Sequence, residues 1–175
     1  GPEDLLVEQT ITYDQAYNGC YIPINIEREI VLSNRKSYER ETIYVDIHKG
    51  VDENEILTLE KKGNIRSQIH GDLKVKIILE ENLFFSRNGI NLILHKTISF
   101  KESLCGFKFE INHLNGKSIN FSSSKGNVIL NGDTKIIHNR GFTRKDVSGD
   151  LVIFFHVSQP NKLDDEQLKV VYEIF

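Results

Sequence analysis

An internal repeat constrains the fold of this chain more than any other feature of the sequence. The segment ITYDQAYNG at 11–19 is echoed by ISFKESLCG at 98–106, an offset of 87 residues. Later matches pair KG at 62–63 with RG at 140–141 and GDL at 71–73 with GDL at 149–151, at an offset of 78. Several matches in the same order predict two copies of one structural unit. The drop in offset indicates that the second copy is shorter than the first between its segment 98–106 and its glycine at 141.

Apolar residues alternate with polar ones along much of the chain. The alternation covers five stretches, at 5–11, 22–27, 43–47, 73–77 and 92–98. Successive side chains of a strand leave opposite faces of the pleat, so this spacing predicts half-buried strands. Turn signals rich in glycine and asparagine separate the strands, and a long helical period is missing before the C-terminus. The sequence therefore predicts a mainly β fold.

Short helices are predicted at three places. Two are single turns, because the hydroxyl residues Thr12 and Ser99 are each followed three positions later by Gln or Glu, the pattern of a capping box. The third begins after Asp164 and carries one apolar stripe at helical spacing, formed by Leu168, Val171, Tyr172 and Phe175. A helix of this length is marginal alone, so its stripe is expected to pack on a second subunit or on its own domain.

Composition and spacing argue against several classes of function. The chain carries 22 Lys and Arg against 25 Asp and Glu in mixed order, so it has no basic surface suited to nucleic acid. Its apolar runs are far shorter than the about 20 residues that cross a bilayer. The two cysteines, Cys20 and Cys105, form no CxxC pair, and six scattered histidines show no metal-ligand spacing. We therefore expect no cofactor, no metal, no catalysis and a reducing, cytoplasmic location.

Two adjacent aromatic residues, Phe84 and Phe85, lie in the connector between the copies. We expect them to anchor this connector in a core, with a ligand site as the alternative interpretation.

Taken together, these segments resemble the C-terminal region of DnaJ-type (heat-shock protein 40 class) co-chaperones over almost the whole chain. The segments that carry the resemblance are DLLVEQTITYDQAYNG at 4–19, VDIHKG at 45–50, ILTLEKKGN at 56–64, GDLKV at 71–75, FSRNGINL at 85–92, FKESLCGF at 100–107, LNGKSI at 114–119 and GDLVIFFHV at 149–157, followed by Pro160. No J-domain and no CxxC repeats are present, so the resemblance is to the subclass without zinc, with the J-domain expected to precede residue 3.

The resemblance implies two tandem, small, β-sandwich-like subdomains at 3–82 and 83–159, followed by a dimerisation helix at 160–175. It also implies a shallow apolar groove in the first subdomain that binds extended segments of non-native polypeptide. Carried over by position, the residues that line this groove are Val7, Gln9, Ile24, Ile26 and Val75. Gln9 stands where the family usually has an aliphatic residue. The alternative is that these side chains belong to the core.

The function implied is that of a non-catalytic homodimer that delivers client polypeptides to heat-shock protein 70, with neither nucleic acid nor membrane as a partner. Some members of this family bind the acidic tail of heat-shock protein 70 through lysines. This chain has no lysines at the matching positions of the second strand. Arg28 and Arg40 are possible substitutes, but we expect both to be solvated surface residues. The rival function is a structural adaptor that dimerises and tethers one specific peptide.

Overall fold

The computed structural model describes residues 1–175. Its first half contains β1 (Leu5–Ile11), α1 (Tyr13–Asn18), β2 (Cys20–Leu32), β3 (Arg35–Ile47), β4 (Ile56–Leu59), β5 (Ile65–Arg66), β6 (Ile69–His70) and β7 (Leu73–Leu79). Its second half contains β8 (Phe85–Asn88), β9 (Asn91–Ser99), α2 (Phe100–Cys105), β10 (Lys108–Asn112), β11 (Ser118–Ser122), β12 (Thr134–Ile137), β13 (Thr143–Arg144), β14 (Val147–Ser148), β15 (Leu151–Ser158) and α3 (Asp165–Ile174). The prediction of a mainly β fold with a C-terminal helix is confirmed.

The strands form separate sheets on either side of the connector. Residues 5–79, here called the first unit, contain the sheets β1-β7-β4 and β3-β2-β5-β6. Residues 85–158, the second unit, contain β12-β15-β9-β8 and the two-stranded sheets β10-β11 and β13-β14. The domain boundaries at residues 82 and 159 stay a prediction.

The two units repeat the same strand pairings. Leu5 lies opposite Leu73 in a parallel ladder, and Leu92 lies opposite Leu151 in the equivalent ladder. These partners are related by the same offsets, 87 and 78, that the sequence repeat shows. The shortening falls in one hairpin, because β2 and β3 have 13 residues each whereas β10 and β11 have 5 each.

The residues that form the core follow the alternation of apolar and polar residues in the sequence. Alternate residues are buried over the first five positions of β7 and of β15, as the period of a strand with one inward face requires. The largest fully buried side chains come from both units and include Ile11, Ile47, Leu73, Ile77, Leu92, Ile98, Phe142, Leu151, Ile153 and Phe155. Apolar burial thus holds the sheets of both units together.

A polar junction centred on Gly50 joins the units. The Gly50 carbonyl accepts hydrogen bonds from Arg87 at 2.9 Å and from Arg144 at 3.0 Å, both from the second unit. Arg87 also lies over the ring of Phe142, with its guanidinium carbon 3.8 Å from the ring centroid. Gly50 has a φ of +86°, and a Cβ here would collide with the Thr143 carbonyl. Only glycine fits this close approach.

Glu55 provides a charged contact across the same junction. Its Oε1 lies 2.6 Å from Arg144 Nη1, and its Oε2 lies 2.8 Å from His48 Nε2. Burial alone would raise the pKa of this carboxyl, but the hydrogen bonds from Arg144 and His48 lower its pKa to about 2. Nearby, the side chain of Asn18 donates to the Leu114 carbonyl at 2.9 Å. The two units are therefore joined by specific contacts and not by the connector alone.

The helix α3 stands apart from this core. Its predicted capping box is present, with the Asp164 side chain accepting from the Gln167 backbone N–H and the Gln167 side chain accepting from the Asp164 N–H. No residue of α3 is buried. None of the three helices combines the length and the apolar composition that a bilayer-crossing helix requires.

Candidate functional site

The strand β2 has a free edge over most of its length. It pairs with β3 from Cys20 to Leu32, but on its other side it pairs with β5 only at Ile30 and Val31. On that other side the Glu29 N–H donates to Asn64 Oδ1, and the Val31 carbonyl accepts from Ser67. Because backbone groups of alternate residues point the same way in a strand, those of Asn25 and Glu27 also point away from β3. They have no backbone partner there.

The strand β1 presents a second free edge. The Leu5 N–H donates to the Asp72 carbonyl and the Ile11 carbonyl accepts from Glu80, so the odd-numbered residues of β1 bond towards β7. The backbone groups of Leu6, Glu8 and Thr10 consequently point away from the sheet. Two free strand edges of the first unit therefore lie on consecutive strands of the chain.

The side chains predicted to line a groove face the interior between these two strands. Val7 lies opposite Val75 in the β1-β7 ladder, and both face the core. Ile24, Ile26 and Val75 are buried, with exposed fractions of 5%, 4% and 0%. Val7 and Gln9 are only half-buried. The five-residue lining of the groove stays a prediction.

Two features of these edges were not anticipated from the sequence. The Gln9 side-chain amide donates to the Thr10 carbonyl at 3.0 Å, so one acceptor of the β1 edge is already occupied. Pro23 lies on the β2 edge at a position whose backbone faces outward, and proline has no N–H to donate. The alternation along β2 predicts that the side chain of Pro23 lies on the outer face of the sheet. It does not predict which way the backbone of Pro23 points, because that depends on the register of the β2-β3 hairpin.

The two arginines considered for an acidic-tail contact differ from each other. Arg40 is exposed, with its Nε 4.0 Å from Glu27. Arg28 is buried, and the expectation that it is a solvated surface residue is wrong. It donates to Glu39 at 3.0 Å and to the Gly63 carbonyl at 3.2 Å. Burial opposes its charge, but the hydrogen bonds that Arg28 donates to Glu41 and Glu39 raise its pKa above the ordinary value. Arg28 therefore links β2 to β3 through Glu39 and Glu41, and to the loop after β4 through the Gly63 carbonyl.

Groups with reactive side chains do not converge in the structure. No three histidine, cysteine, aspartate or glutamate side chains are placed to share a metal ion. The rings of His95 and His156 stack, with Nδ1 of the first 2.7 Å from Nε2 of the second. Burial raises the pKa of the Cys20 thiol, which makes the thiolate scarcer near neutral pH.

The sequence of this chain matches the DnaJ C terminal domain family over residues 5–160. It is 30% identical over 137 residues to chaperone protein dnaJ 3 of Arabidopsis thaliana, covering 76% of this chain and 33% of that protein. It is also 30% identical over 136 residues to chaperone protein DnaJ of Borreliella burgdorferi, covering 75% of this chain and 37% of that protein. This chain belongs to the DnaJ C-terminal domain family. It spans about a third of the length of the curated relatives that it matches.

The C-terminal helix α3, which follows the residues matched by the family, exposes its predicted dimerisation stripe. Leu168 is 57% exposed, Val171 39%, Tyr172 84% and Phe175 92%. Val170 and Ile174 are exposed as well. Large apolar side chains gathered on one short element are typical of an interaction surface.

Proposed function

We propose that this DnaJ C-terminal domain binds extended segments of non-native polypeptide and catalyses no reaction. The observation that carries the proposal is that β1 and β2 both have a free edge, and that Val7 on β1 is only half-buried. An extended segment that adds to the β2 edge gains backbone hydrogen bonds with Asn25 and Glu27. Its alternate side chains then face the apolar side of the gap, which is the β-augmentation mode of peptide recognition.

This arrangement explains why such a site would accept many sequences. Backbone hydrogen bonds are the same for every residue except proline, and each is worth about 0.5–1.5 kcal/mol net. Apolar burial is non-directional and discriminates weakly among aliphatic and aromatic side chains. A segment that exposes alternating apolar residues, as an unfolded strand of another protein does, fits both requirements.

Dimerisation through α3 is the second element of the proposal. Burying the four stripe side chains, Leu168, Val171, Tyr172 and Phe175, would contribute roughly 6–12 kcal/mol at about 1.5–3 kcal/mol each. Association itself costs about 4–15 kcal/mol. A dimer held by this helix alone is therefore of modest affinity. Two binding sites on one dimer would compensate for weak single contacts by raising the effective concentration of the second site.

The remaining steps of the proposal concern the longer protein. Client polypeptide is held here and delivered to a heat-shock protein 70 partner in the cytoplasm. Only two cysteines are present, so this chain carries no zinc-binding CxxC repeats, in keeping with the subclass that lacks them. The two half-buried positions Val7 and Gln9 are the first contacts of the client.

The proposal is tested by substituting Val7 and measuring client binding. Val7→Glu places a charge at the half-buried position between the free edges, whereas Leu6→Glu places it on the opposite, exposed face of the same strand. Fluorescence anisotropy with a labelled, permanently unfolded protein should show about tenfold weaker binding for Val7→Glu, since a buried valine contributes about 1.5 kcal/mol. Leu6→Glu should bind like the unsubstituted chain. Equal affinity of all three folded proteins would reject a site between β1 and β2.

A structural adaptor that tethers one peptide is the second candidate function. It is favoured by the Gln9 amide, which occupies the Thr10 carbonyl and makes the β1 edge less general. Competition with unrelated apolar peptides separates the two functions. A client-binding domain loses its labelled ligand to most of them, whereas an adaptor loses it to one.

A further inference from the structure

Two histidine rings meet on the outer face of the four-stranded sheet of the second unit. His95 of β9 and His156 of β15 are 61 positions apart in the sequence, so their spacing along the chain does not indicate a pair. Phe154 lies opposite His95 in the parallel ladder of β9 and β15, and His156 follows two residues later on the same face. The register of this ladder therefore brings the two imidazoles together.

The two rings turn one nitrogen each towards the other. Nδ1 of His95 lies 2.7 Å from Nε2 of His156, and the ring centroids are 5.0 Å apart. The ring of Phe154 also stacks on His95, with centroids 5.3 Å apart and an interplanar angle of 19°, which restricts the rotation of the imidazole. In a hydrogen bond between two neutral imidazoles, one of the facing nitrogens carries the proton and the other presents a lone pair. Removing that proton leaves two lone pairs directed at the same region. Both side chains are exposed, so ions in solution reach them.

The distance between the two nitrogens matches one coordination geometry better than another. Imidazole nitrogens bind divalent transition metals at about 2.0–2.1 Å. At that bond length, two nitrogens at the tetrahedral angle would be about 3.3–3.4 Å apart. Two nitrogens at a right angle would be about 2.8–3.0 Å apart, as in the square-planar or tetragonal complexes of Cu²⁺ and Ni²⁺. The observed 2.7 Å is close to the right-angle value.

The internal repeat shows that the fold itself does not require this pair. His95 is equivalent to Glu8 at the offset of 87, and His156 is equivalent to Ile78 at the offset of 78. Glu8 and Ile78 lie in the β1-β7 ladder, in the register that His95 and His156 have in the second unit. A carboxylate and an aliphatic side chain thus support the same pairing of strands. Two imidazoles at these positions are a property of the second unit alone.

From this geometry we propose that His95 and His156 form a two-nitrogen binding site for a divalent transition-metal ion of the Cu²⁺ and Ni²⁺ class, which takes ligands at right angles. The ion replaces the proton shared by Nδ1 of His95 and Nε2 of His156, and that proton leaves to solvent. Water occupies the remaining positions of the ion. Thr97 lies opposite His156 on the same exposed face and adds a hydroxyl beside the pair. Because the two ligands come from neighbouring strands, a bound ion links β9 to β15 and stabilises the folded chain. The site does not depend on the binding of polypeptide.

The test is a calorimetric titration of the whole chain with Ni²⁺, which the free thiols of Cys20 and Cys105 do not reduce, as they would Cu²⁺. His95→Gln and His156→Ile should each weaken Ni²⁺ binding more than about tenfold, since even groups that only support a metal ligand are worth about 10–100-fold. His156→Ile introduces the residue that the first unit carries at the equivalent position, so the fold should be kept. The control is His70→Gln, which removes an exposed histidine outside the pair and should bind Ni²⁺ like the unsubstituted chain.

A second measurement reports on the link between the strands. Ni²⁺ at about 100 times its dissociation constant should raise the midpoint of thermal unfolding by about 5–10 °C in the unsubstituted chain and in His70→Gln, but not in His156→Ile. One Ni²⁺ per chain, lost in both pair variants while circular dichroism stays the same, supports the site. No binding of Ni²⁺ by the folded unsubstituted chain overturns it. Binding that falls as much in His70→Gln as in His95→Gln also overturns it, because the ion would then be spread over surface histidines. Tighter binding of Zn²⁺ than of Ni²⁺ overturns the right-angle geometry, since Zn²⁺ prefers tetrahedral ligands.

Discussion

The ion pair across the junction gives a prediction whose size follows from the structure. Glu55 is 21% exposed at its side chain, and its pKa is lowered from an ordinary 4.5 to about 2. Each pKa unit corresponds to about 1.4 kcal/mol, so the charged carboxylate of Glu55 contributes about 3 kcal/mol at pH 7. Because the folded-state pKa is below the unfolded one, this stability is present above about pH 4.5 and is lost as the pH falls towards 2.

The perturbation is Glu55→Gln, which keeps the shape and removes the charge. Compared with the unsubstituted chain, it should lower the free energy of unfolding by about 3 kcal/mol at pH 7 but by only about 1.5 kcal/mol at pH 3. Urea unfolding followed by far-ultraviolet circular dichroism measures both values. Taking the difference between the two proteins at each pH cancels the titration of every other carboxyl.

The control is Glu60→Gln, an exposed carboxyl that takes part in no ion pair and should change stability by less than about 0.5 kcal/mol at either pH. A Glu55→Gln difference that stays the same from pH 7 to pH 3 would refute the reasoning. The junction would then be held by packing and by the arginine bonds to the Gly50 carbonyl, not by the charge of Glu55.

Three further predictions concern other parts of the chain. A chain that ends at Pro160 lacks α3 and should be monomeric in sedimentation equilibrium while the full chain is a dimer; a dimer in both cases would place the interface elsewhere. Gly63→Ala should lower the free energy of unfolding by more than about 2 kcal/mol in urea titration, since its Cβ would overlap the Asp72 carbonyl. The control Gly89→Ala has open space around the new Cβ and should cost about 1 kcal/mol. Equal losses of stability in the two variants would contradict the steric argument. Pro23→Glu restores a donor to the β2 edge and should strengthen peptide binding about threefold in anisotropy, whereas unchanged affinity would mean that this N–H position lies outside the site.

Local patterns in the sequence were sufficient for much of this fold. The capping boxes at Thr12, Ser99 and Asp164 are all present, because the residues that form them are three positions apart and need no distant partner. The repeat offsets reappear in the two parallel ladders, since equal segments with equal alternation pair in equal register.

What depended on distant neighbours was decided only by the tertiary structure. Phe84 and Phe85 look alike in the sequence, but Phe85 is 6% exposed and Phe84 73%, because Asn82 Oδ1 accepts both backbone N–H groups and turns the chain there. Arg28 became a buried residue because glutamates across the hairpin and two loop carbonyls surround it. Alternation assigns a side chain to a face of a strand. Whether that face is then covered, left open at an edge or widened into a cavity depends on which strands come to lie beside it.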